Sequence, residues 1–346
     1  MRNLTYTEAI LEATNQEMER DPNVLVFGLD VDDPKAIQGT TKGLPKKYGS
    51  QRVFGTPLSE DAMTGTAIGM ALAGLRPIHI HIRNDFMLLA MNQLVNIAAK
   101  SHYMYGGKIN IPMVVRSMIG KSWGQGAQHS QSLYSFFMHI PGLKVVAPTT
   151  PYDAKGCLIE AIRDNNPVIF IEHRILHFQK GYVPENLYTV SPGKARITAK
   201  GKDITLVGIS NMQLECQKAQ FYLQSVGIEA EVIDPIWLSP LDIDTIVESV
   251  KKTGRLIVVD NDWTTCGASS EIITQVVEQL HGKSIQVRRM GFAPVTCPPT
   301  PSLEKLFYPD AITIAQKAYN LIQGKDTGWT PTKQEHLQDI EFKGPF

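Results

Sequence analysis

The sequence lacks an apolar run of the about 18–20 residues that a membrane-spanning helix needs. It has only four cysteines, at positions 157, 216, 266 and 297, and no C-x-x-C pair. This spacing argues against a zinc site and a disulfide framework and favours a reducing compartment. The 34 basic and 34 acidic residues cancel, so no overall field would attract nucleic acid or an anionic membrane. With no secretory pattern at the amino terminus, we expect a cytoplasmic protein.

Phosphate-binding loops are also missing. The loop GKSWGQGAQHSQS at 120–132 has three glycines but matches neither G-x-G-x-x-G nor the P-loop lysine signature. His129, in this polar loop, is suited to proton transfer near neutral pH. A lone loop histidine can equally be an exposed bystander, and the loop alone does not separate the two interpretations.

Short apolar runs alternate with segments of helical spacing. We expect strands at 24–30, 77–82, 113–117, 143–148 and 168–172, and helices at the amino terminus and over 59–72, 87–105 and 153–164. Such alternation predicts an α/β fold with a mainly parallel sheet flanked by helices. A second alternation runs from 204 to 289.

The length of 346 residues favours two domains. Polar sequence with proline and glycine separates the two alternations. We therefore predict a first domain at 1–185, a linker at 186–202, a second domain at 203–325 and a tail at 326–346.

The segment TPLSE offers a carboxyl group at a helix start. Thr56 and Pro57 suit an N-cap and a first helical position, which would place Glu60 in the first turn. Glu60 would then complement the helix dipole, or, in a dry crevice, its carboxyl could face a ring nitrogen. Gly65 and Gly69 follow in the same helix and favour close packing against a second helix, including one across a subunit interface.

Polar residues also mark the strand at 77–82 and the turn at 161–167. His79 and His81 share one strand face, but no third metal ligand with suitable spacing is evident, so they indicate a polar crevice. Phe86 follows as a core residue or a stacking platform. The turn AIRDNNP ends a helix, and its free carbonyls are either ligands for a monovalent cation or an ordinary helix end.

Taken in order, these segments resemble one family. FGTPLSEDA, AGLRPI, RNDF, GAQHSQS and PGLKVVAPTTPYDAKG follow one another, and the similarity runs from about Leu4 to Gln323. The chain resembles the beta subunits of thiamine-diphosphate-dependent 2-oxo acid dehydrogenases, a group that includes pyruvate, branched-chain 2-oxo acid and acetoin dehydrogenases. The resemblance implies two α/β domains, a transketolase-like pyrimidine-binding domain and a transketolase C-terminal domain.

The resemblance also implies a site. Glu60 would hydrogen-bond the aminopyrimidine of thiamine diphosphate and promote loss of the thiazolium C2 proton, with Leu58 beside it and Phe86 stacked on the ring. His129 would donate a proton or bind the substrate carboxylate. A potassium ion would be held mainly by backbone carbonyls, which correspond to Met113, Ala161, Ile162, Asp164 and Asn166.

Partners follow from the same resemblance. In the family an alpha subunit binds the diphosphate and Mg²⁺ through a Gly-Asp-Gly motif, which this chain lacks. We therefore expect an α2β2 heterotetramer with a beta–beta contact, inactive without its alpha subunit. The implied activity is oxidative decarboxylation of a 2-oxo acid with acyl transfer to lipoamide on a separate acyltransferase.

Two departures from the family leave the substrate open. Gly55 stands where the family usually has aspartate. His79, His81, Arg83 and Asn84 would give the substrate mouth a polar character and favour a more anionic or more polar 2-oxo acid. Two alternatives remain: a split transketolase-like or acyloin-forming enzyme that passes the acyl unit to an aldehyde, and a non-catalytic assembly subunit.

Overall fold

The computed structural model describes residues 2–121 and 124–332. These residues divide into two compact units, one of residues 2–121 and 128–192 and the other of residues 124–127 and 193–332. The predicted tail lies outside the described residues from 333 onward, as do two positions of the predicted loop, 122 and 123.

The first unit contains eight strands within the described part of the chain. They are β1 (Asn3–Thr5), β2 (Val24–Gly28), β3 (Val53–Gly55), β4 (Arg76–His81), β5 (Val114–Ile119), β6 (Lys144–Val146), β7 (Val168–His173) and β8 (Lys180–Tyr182). The five predicted strands correspond to β2, β4, β5, β6 and β7 and begin within one residue of the expected positions. β1 and β8 form a separate antiparallel pair.

Helices connect these strands. They are α1 (Tyr6–Arg20), α2 (Leu44–Tyr48), α3 (Glu60–Leu72), α4 (Ala99–Met104), α5 (Tyr134–Met138) and α6 (Pro151–Arg163), with 3-10 helices at Asn84–Ala90 and Arg174–Phe178 and a π-helix at Asn92–Ala98. The single helix expected over 87–105 is therefore a succession of 3-10, π and α turns. α1 begins with a capping box, in which Thr5 and Glu8 satisfy each other's backbone N–H groups.

The predicted cap of α3 is wrong. The helix begins at Glu60 with Ser59 as its N-cap residue, not at Thr56 and Pro57. Two cap-like residues, Thr56 and Ser59, lie three positions apart in this segment, and the Thr56 N–H still donates to the Gly28 carbonyl of β2 at 3.1 Å. Glu60 is nevertheless in the first turn, as expected.

The order of the strands in the first unit creates a crevice. They lie in the order β6-β7-β5-β4-β2-β3, and each neighbouring pair is parallel. From β2 the chain moves to β3 on one side, whereas β4 leads to β5 on the other. The carboxyl ends of β2 and β4 therefore flank a topological switch point, where open α/β sheets usually bind ligands. Gly28 ends β2 with φ +154°, and a Cβ there would lie 2.3 Å from the Ile80 carbonyl oxygen.

The second unit has a smaller sheet. Its strands are β9 (Arg196–Ala199), β10 (Ile204–Gly208), β11 (Ala230–Asp234), β12 (Trp237–Ser239), β13 (Arg255–Trp263) and β14 (Gln286–Phe292). Five of them form a sheet in the order β14-β13-β10-β11-β9, parallel except for β9. β9 lies inside the stretch predicted as a linker.

The helices of this unit are α7 (Met212–Gln224), α8 (Ile243–Thr253), α9 (Ala268–Gln279), α10 (Pro301–Glu304) and α11 (Ala311–Gln323). α7 and α11 bury aliphatic side chains against the sheet, and Trp329 packs on this core and stacks on Tyr319 at 4.5 Å. Among the described residues no helix combines the length and apolar character of a membrane span. No disulfide bond joins the four cysteines.

Candidate active site

A cavity of about 350 Å³ lies at the switch point of the first unit. Segments that follow three neighbouring strands line it: Leu29 after β2, residues 56–60 after β3, and residues 79–83 with Phe86 from the end of β4. Met63, Leu89 and His129 complete the lining. The volume lies within the range of roughly 300–1,000 Å³ that small-molecule sites occupy.

Glu60 enters the cavity from the first residue of α3. Its side chain is half-buried, and its carboxyl has no hydrogen-bond partner among the described residues. The partial positive charge of the helix amino terminus favours a carboxylate here. A carboxyl group that is held on a rigid helix and has no protein partner is available to a ligand. Leu58, two residues earlier, lines the same cavity with 75% of its surface exposed.

Phe86 and His129 meet at this cavity. Phe86 lies in the 3-10 helix after β4 and is 37% exposed, so it is not a core residue. Its ring contacts His129 edge to face, with centroids 5.3 Å apart and planes at 86°. The structure therefore brings together Glu60, Phe86, His129 and Leu58.

Asn84 and Asp85, which directly precede Phe86, hold the segment that follows His129. The buried Asp85 carboxylate accepts hydrogen bonds from the backbone N–H and the side-chain amide of Gln131, at 3.2 and 2.9 Å. The Asn84 side-chain oxygen accepts one from the Leu133 N–H at 2.9 Å. Burial raises the pKa of Asp85 above its usual range. Asn84 is fully buried and does not line the cavity, so we do not assign it to the substrate mouth.

Arg174 holds the same loop from the other side. It follows β7 directly, is 1% exposed, and donates hydrogen bonds to the carbonyl oxygens of Gly120 and His129, the latter at 2.9 Å. A guanidinium group is planar and permanently charged, so it can hold two carbonyls in a fixed geometry. The backbone of His129 is thus anchored although its ring faces the cavity.

His79 and His81 form an aromatic cluster with Phe27, and both histidines line the cavity. The His79 ring lies on Phe27 at 4.6 Å and 20° and meets His81 at 4.4 Å and 67°. The His79 Nδ1 lies 3.4 Å from the Phe27 carbonyl oxygen, and the His81 Nε2 lies 3.4 Å from the Thr64 hydroxyl. Burial lowers the pKa of His79 to about 4 and that of His81 well below its usual value. Both rings are therefore neutral near pH 7.

The departure at Gly55 has a structural counterpart. A Cβ at position 55 would lie 2.3 Å from a carboxylate oxygen of Asp32. Asp32 therefore occupies the space that a side chain at position 55 would need. A carboxylate is present at this place, supplied from the segment after β2 instead of the end of β3.

The expected potassium carbonyls lie near a guanidinium group. Arg76 donates from Nη1 to the carbonyl oxygens of Ile162 and Asp164, each at 3.0 Å. The Met113 carbonyl accepts from the Val168 N–H at 3.0 Å. Ala161 and Asn166 flank the Ile162–Asp164 turn in sequence. Carbonyl oxygens therefore converge on a positive charge at the end of α6. That charge is the guanidinium group of Arg76, which belongs to the chain itself. No cluster of three or more histidine, cysteine or acidic side chains occurs in the described residues.

Sequence reasoning missed Asp85 and Arg174. Both follow the carboxyl ends of parallel strands, β4 and β7, which meet at one edge of the sheet. The rule that ligands bind at this edge could have singled them out. Thr64, which contacts His81, could not have been found because its role depends on how α3 packs on β4.

The domain architecture is that of transketolase-like proteins that use thiamine diphosphate. Residues 2–179 match the family "Transketolase, pyrimidine binding domain", and residues 193–314 match "Transketolase, C-terminal domain". A split gene transketolase, solved as an inactive beta4 tetramer, superposes with a TM-score of 0.74 over 94% of this chain and 98% of that chain. At 20% identity this likeness concerns the fold alone.

Curated relatives show to which family of transketolase-like proteins the chain belongs. The acetoin:2,6-dichlorophenolindophenol oxidoreductase subunit beta of Cupriavidus necator is 46% identical, covering 93% of this chain and 98% of the relative. The pyruvate dehydrogenase E1 component subunit beta of Porphyra purpurea is 41% identical, covering 92% and 97%. The chain belongs to the family of beta subunits of thiamine-dependent 2-oxo acid dehydrogenases. This finding confirms the resemblance read from the sequence.

Proposed function

We propose that this chain supplies the pyrimidine half-site of a thiamine-diphosphate enzyme that decarboxylates a 2-oxo acid and transfers the acyl unit to lipoamide. The observation that carries the proposal is the meeting of Glu60, Phe86 and His129 in one cavity at the switch point. Thiamine diphosphate, when bound, supplies the electron sink for decarboxylation.

The residues fit the pyrimidine ring. Glu60 presents a carboxyl group that no described residue binds and that suits a ring nitrogen, and the partly exposed Phe86 offers an aromatic surface for stacking. His129 would hold or donate a proton at the substrate, since its backbone is anchored while its ring lies against Phe86. Arg83 is the single lysine or arginine that lines the cavity. One such side chain is poorly suited to binding a diphosphate.

We therefore assign the diphosphate and its Mg²⁺ to an alpha subunit in an α2β2 assembly. A beta–beta contact is supported by the exposed face of α3. Ala62, Thr66 and Gly69 follow one another at helical spacing on this face, and a Cβ at Gly69 would meet no atom of the described residues within 4 Å. Leu72 and Leu89 are 54% and 60% exposed. Small residues permit close approach of a second backbone.

The cytoplasmic location stays a prediction.

The test compares two acids of the same helix turn. The chain is co-purified with its alpha-type partner and assayed on a panel of 2-oxo acids with thiamine diphosphate, Mg²⁺ and lipoamide or a redox dye. Glu60→Gln should abolish exchange of the thiazolium C2 proton and lower turnover by at least a hundredfold, in the range of a lost general acid–base group. Asp61→Asn removes an equal charge from the first turn, outside the cavity lining, and should retain activity.

The outcomes separate the alternatives. If both variants lose only the about 0.3–1 kcal/mol of stability that a first-turn acid contributes, Glu60 complements the dipole and the chain is an assembly subunit. Turnover with an aldehyde acceptor but not with lipoamide would favour the transketolase-like or acyloin-forming alternative. Unchanged C2 exchange in Glu60→Gln contradicts the assignment.

A further inference from the structure

The second unit has a cavity of its own. Its volume is about 690 Å³, roughly twice that of the cavity that Glu60 enters. It lies between β14, the last strand in the order of its sheet, and α11, and the segment after α11 completes its lining. All of the lining residues belong to this unit. The proposed function gives this cavity no role.

Hydrogen bonds hold the segment after α11 in place. The Asn320 Nδ2 donates to the Asp326 Oδ1 at 3.0 Å, and the Thr327 N–H donates to the Asn320 Oδ1 at 3.1 Å. The Gln316 Nε2 donates to the Thr330 hydroxyl at 2.7 Å. The segment is therefore folded back on the helix, and the neutral polar side chains of α11 are used to fix it there.

Three basic side chains of the lining are within reach of a ligand. Arg288 shares a strand face with Met290, and Met290 packs against the core beneath α11, so this face of β14 is directed toward the helix. Lys317 lies one turn before Leu321 on α11, and Lys325 follows the end of that helix. Arg288, Lys317 and Lys325 all line the cavity and are exposed.

These basic side chains are not used by the chain itself. Lys317 and Lys325 make no hydrogen bond or ion pair within the described residues. Among the same residues, the Arg288 guanidinium donates to the carbonyl oxygen of its neighbour Val287, at 2.8 Å. Asp326 is the single acid of the lining, and its Oδ1 already accepts two hydrogen bonds. The lining thus carries three positive charges and one negative charge.

Apolar side chains supply another part of the surface. Met290 and Trp329 are partly buried against the core of this unit, and both line the cavity. Lysine and arginine bind phosphate through charge-assisted hydrogen bonds, and more than one phosphate group is needed to pair with three cations. A cavity of this volume also has room for a body beyond the phosphate groups.

We propose that this cavity binds a small organic phosphate with at least two phosphate groups and an apolar body, the chemistry of a nucleoside diphosphate. Arg288, Lys317 and Lys325 bind the phosphate groups, and Met290 and Trp329 contact the body. The inference does not rest on the proposed function, because it uses residues of the second unit alone.

The test is titration of the full-length chain with ADP by isothermal titration calorimetry, in the assembly in which the chain purifies. Thiamine diphosphate and Mg²⁺ are present throughout, so that the thiamine site is occupied. We expect saturable binding of one ADP per chain. Pyrophosphate has the charge without the body, and adenosine has the body without the charge. Each should bind at least about tenfold more weakly than ADP.

Single substitutions locate the binding. Lys317→Gln and Lys325→Gln should each raise the Kd of ADP about tenfold, the effect of one charge-assisted hydrogen bond. Lys305→Gln is the matched control, because Lys305 is also an exposed lysine of this unit but does not line the cavity. It should leave the Kd unchanged. Circular dichroism and the thermal midpoint establish that each variant folds.

Four results would overturn the proposal. They are no saturable binding of ADP, an unchanged Kd in both cavity variants, an equal loss in Lys305→Gln, and pyrophosphate binding as tightly as ADP. If Lys317→Gln and Lys325→Gln lower only the thermal midpoint, these lysines complement the dipole of α11 and bind no ligand. If no 2-oxo acid is turned over but ADP binds in the expected pattern, this proposal stands and the proposed function falls.

Discussion

Three buried histidines of the first unit should make its stability depend steeply on acidity. His79, His81 and His173 are each at most 5% exposed, and burial lowers the pKa of all three, to about 4 for His79 and well below the usual value for the others. In the unfolded chain each would titrate near its ordinary value of about 6.5. Below that pH the unfolded state takes up protons that the folded state does not.

The sign and size follow from proton linkage. Because the folded pKa is depressed, the contribution of each histidine is fully present above about pH 6.5 and is lost as the pH falls toward the folded value, about 4 for His79. Between pH 7.5 and 5.5 one such group costs about 1.4 kcal/mol of unfolding free energy, so three cost about 4 kcal/mol. This is a large share of the roughly 5–15 kcal/mol of a typical domain.

Urea unfolding followed by circular dichroism at pH 7.5, 6.5 and 5.5 measures this loss. The lowest pH of this series lies above the range in which carboxyl groups titrate. In that range Asp85 has the opposite effect, because its raised pKa makes the folded state more stable as the pH falls. His79→Phe removes one titrating group and should reduce the loss by about a third. The exposed His102→Phe should not change it. A flat profile, or an equal slope in wild type and His79→Phe, would refute the reasoning.

Two further predictions concern the loop of His129 and the carbonyls near Arg76. Arg174→Lys keeps the charge but not the planar fork, so we expect kcat/KM to fall about tenfold while C2 proton exchange stays intact; equal loss of both would indicate general damage to the first unit. Potassium chloride should raise the thermal midpoint above that in choline chloride at equal ionic strength, because an ion bound only by the folded chain stabilises it. Identical midpoints would leave Arg76 as the cation at these carbonyls.

The strands could be predicted more accurately than the helices. Each of the strands β2, β4, β5 and β7 is a short segment that is buried along nearly its whole length and contains several branched aliphatic residues, a pattern that is visible in the sequence. The stretch at 87–105 has buried residues at 87, 90, 94 and 98, a spacing that indicates a helix but not its 3-10 and π turns. α11 was missed although Asp310 and Thr313 form a capping box and Gly324 follows the helix.

The site was predictable only through the order of many segments. Taken singly, Glu60, Phe86 and His129 each had an ordinary structural explanation, and no local pattern shows that three distant segments meet. Their meeting depends on the position of β2 between β3 and β4, which a single sequence does not reveal. The packing of His79 on Phe27 depends on the pairing of β4 with β2, so it too required coordinates.

The Arg174 anchor holds the main chain of His129 through a group whose own charge does not vary with pH. A guanidinium group keeps its proton at every pH at which proteins remain folded, so the grip on the loop backbone is indifferent to acidity. In the proposed function this ring holds or donates a proton at the substrate, and the grip of Arg174 on its main chain would not weaken with pH.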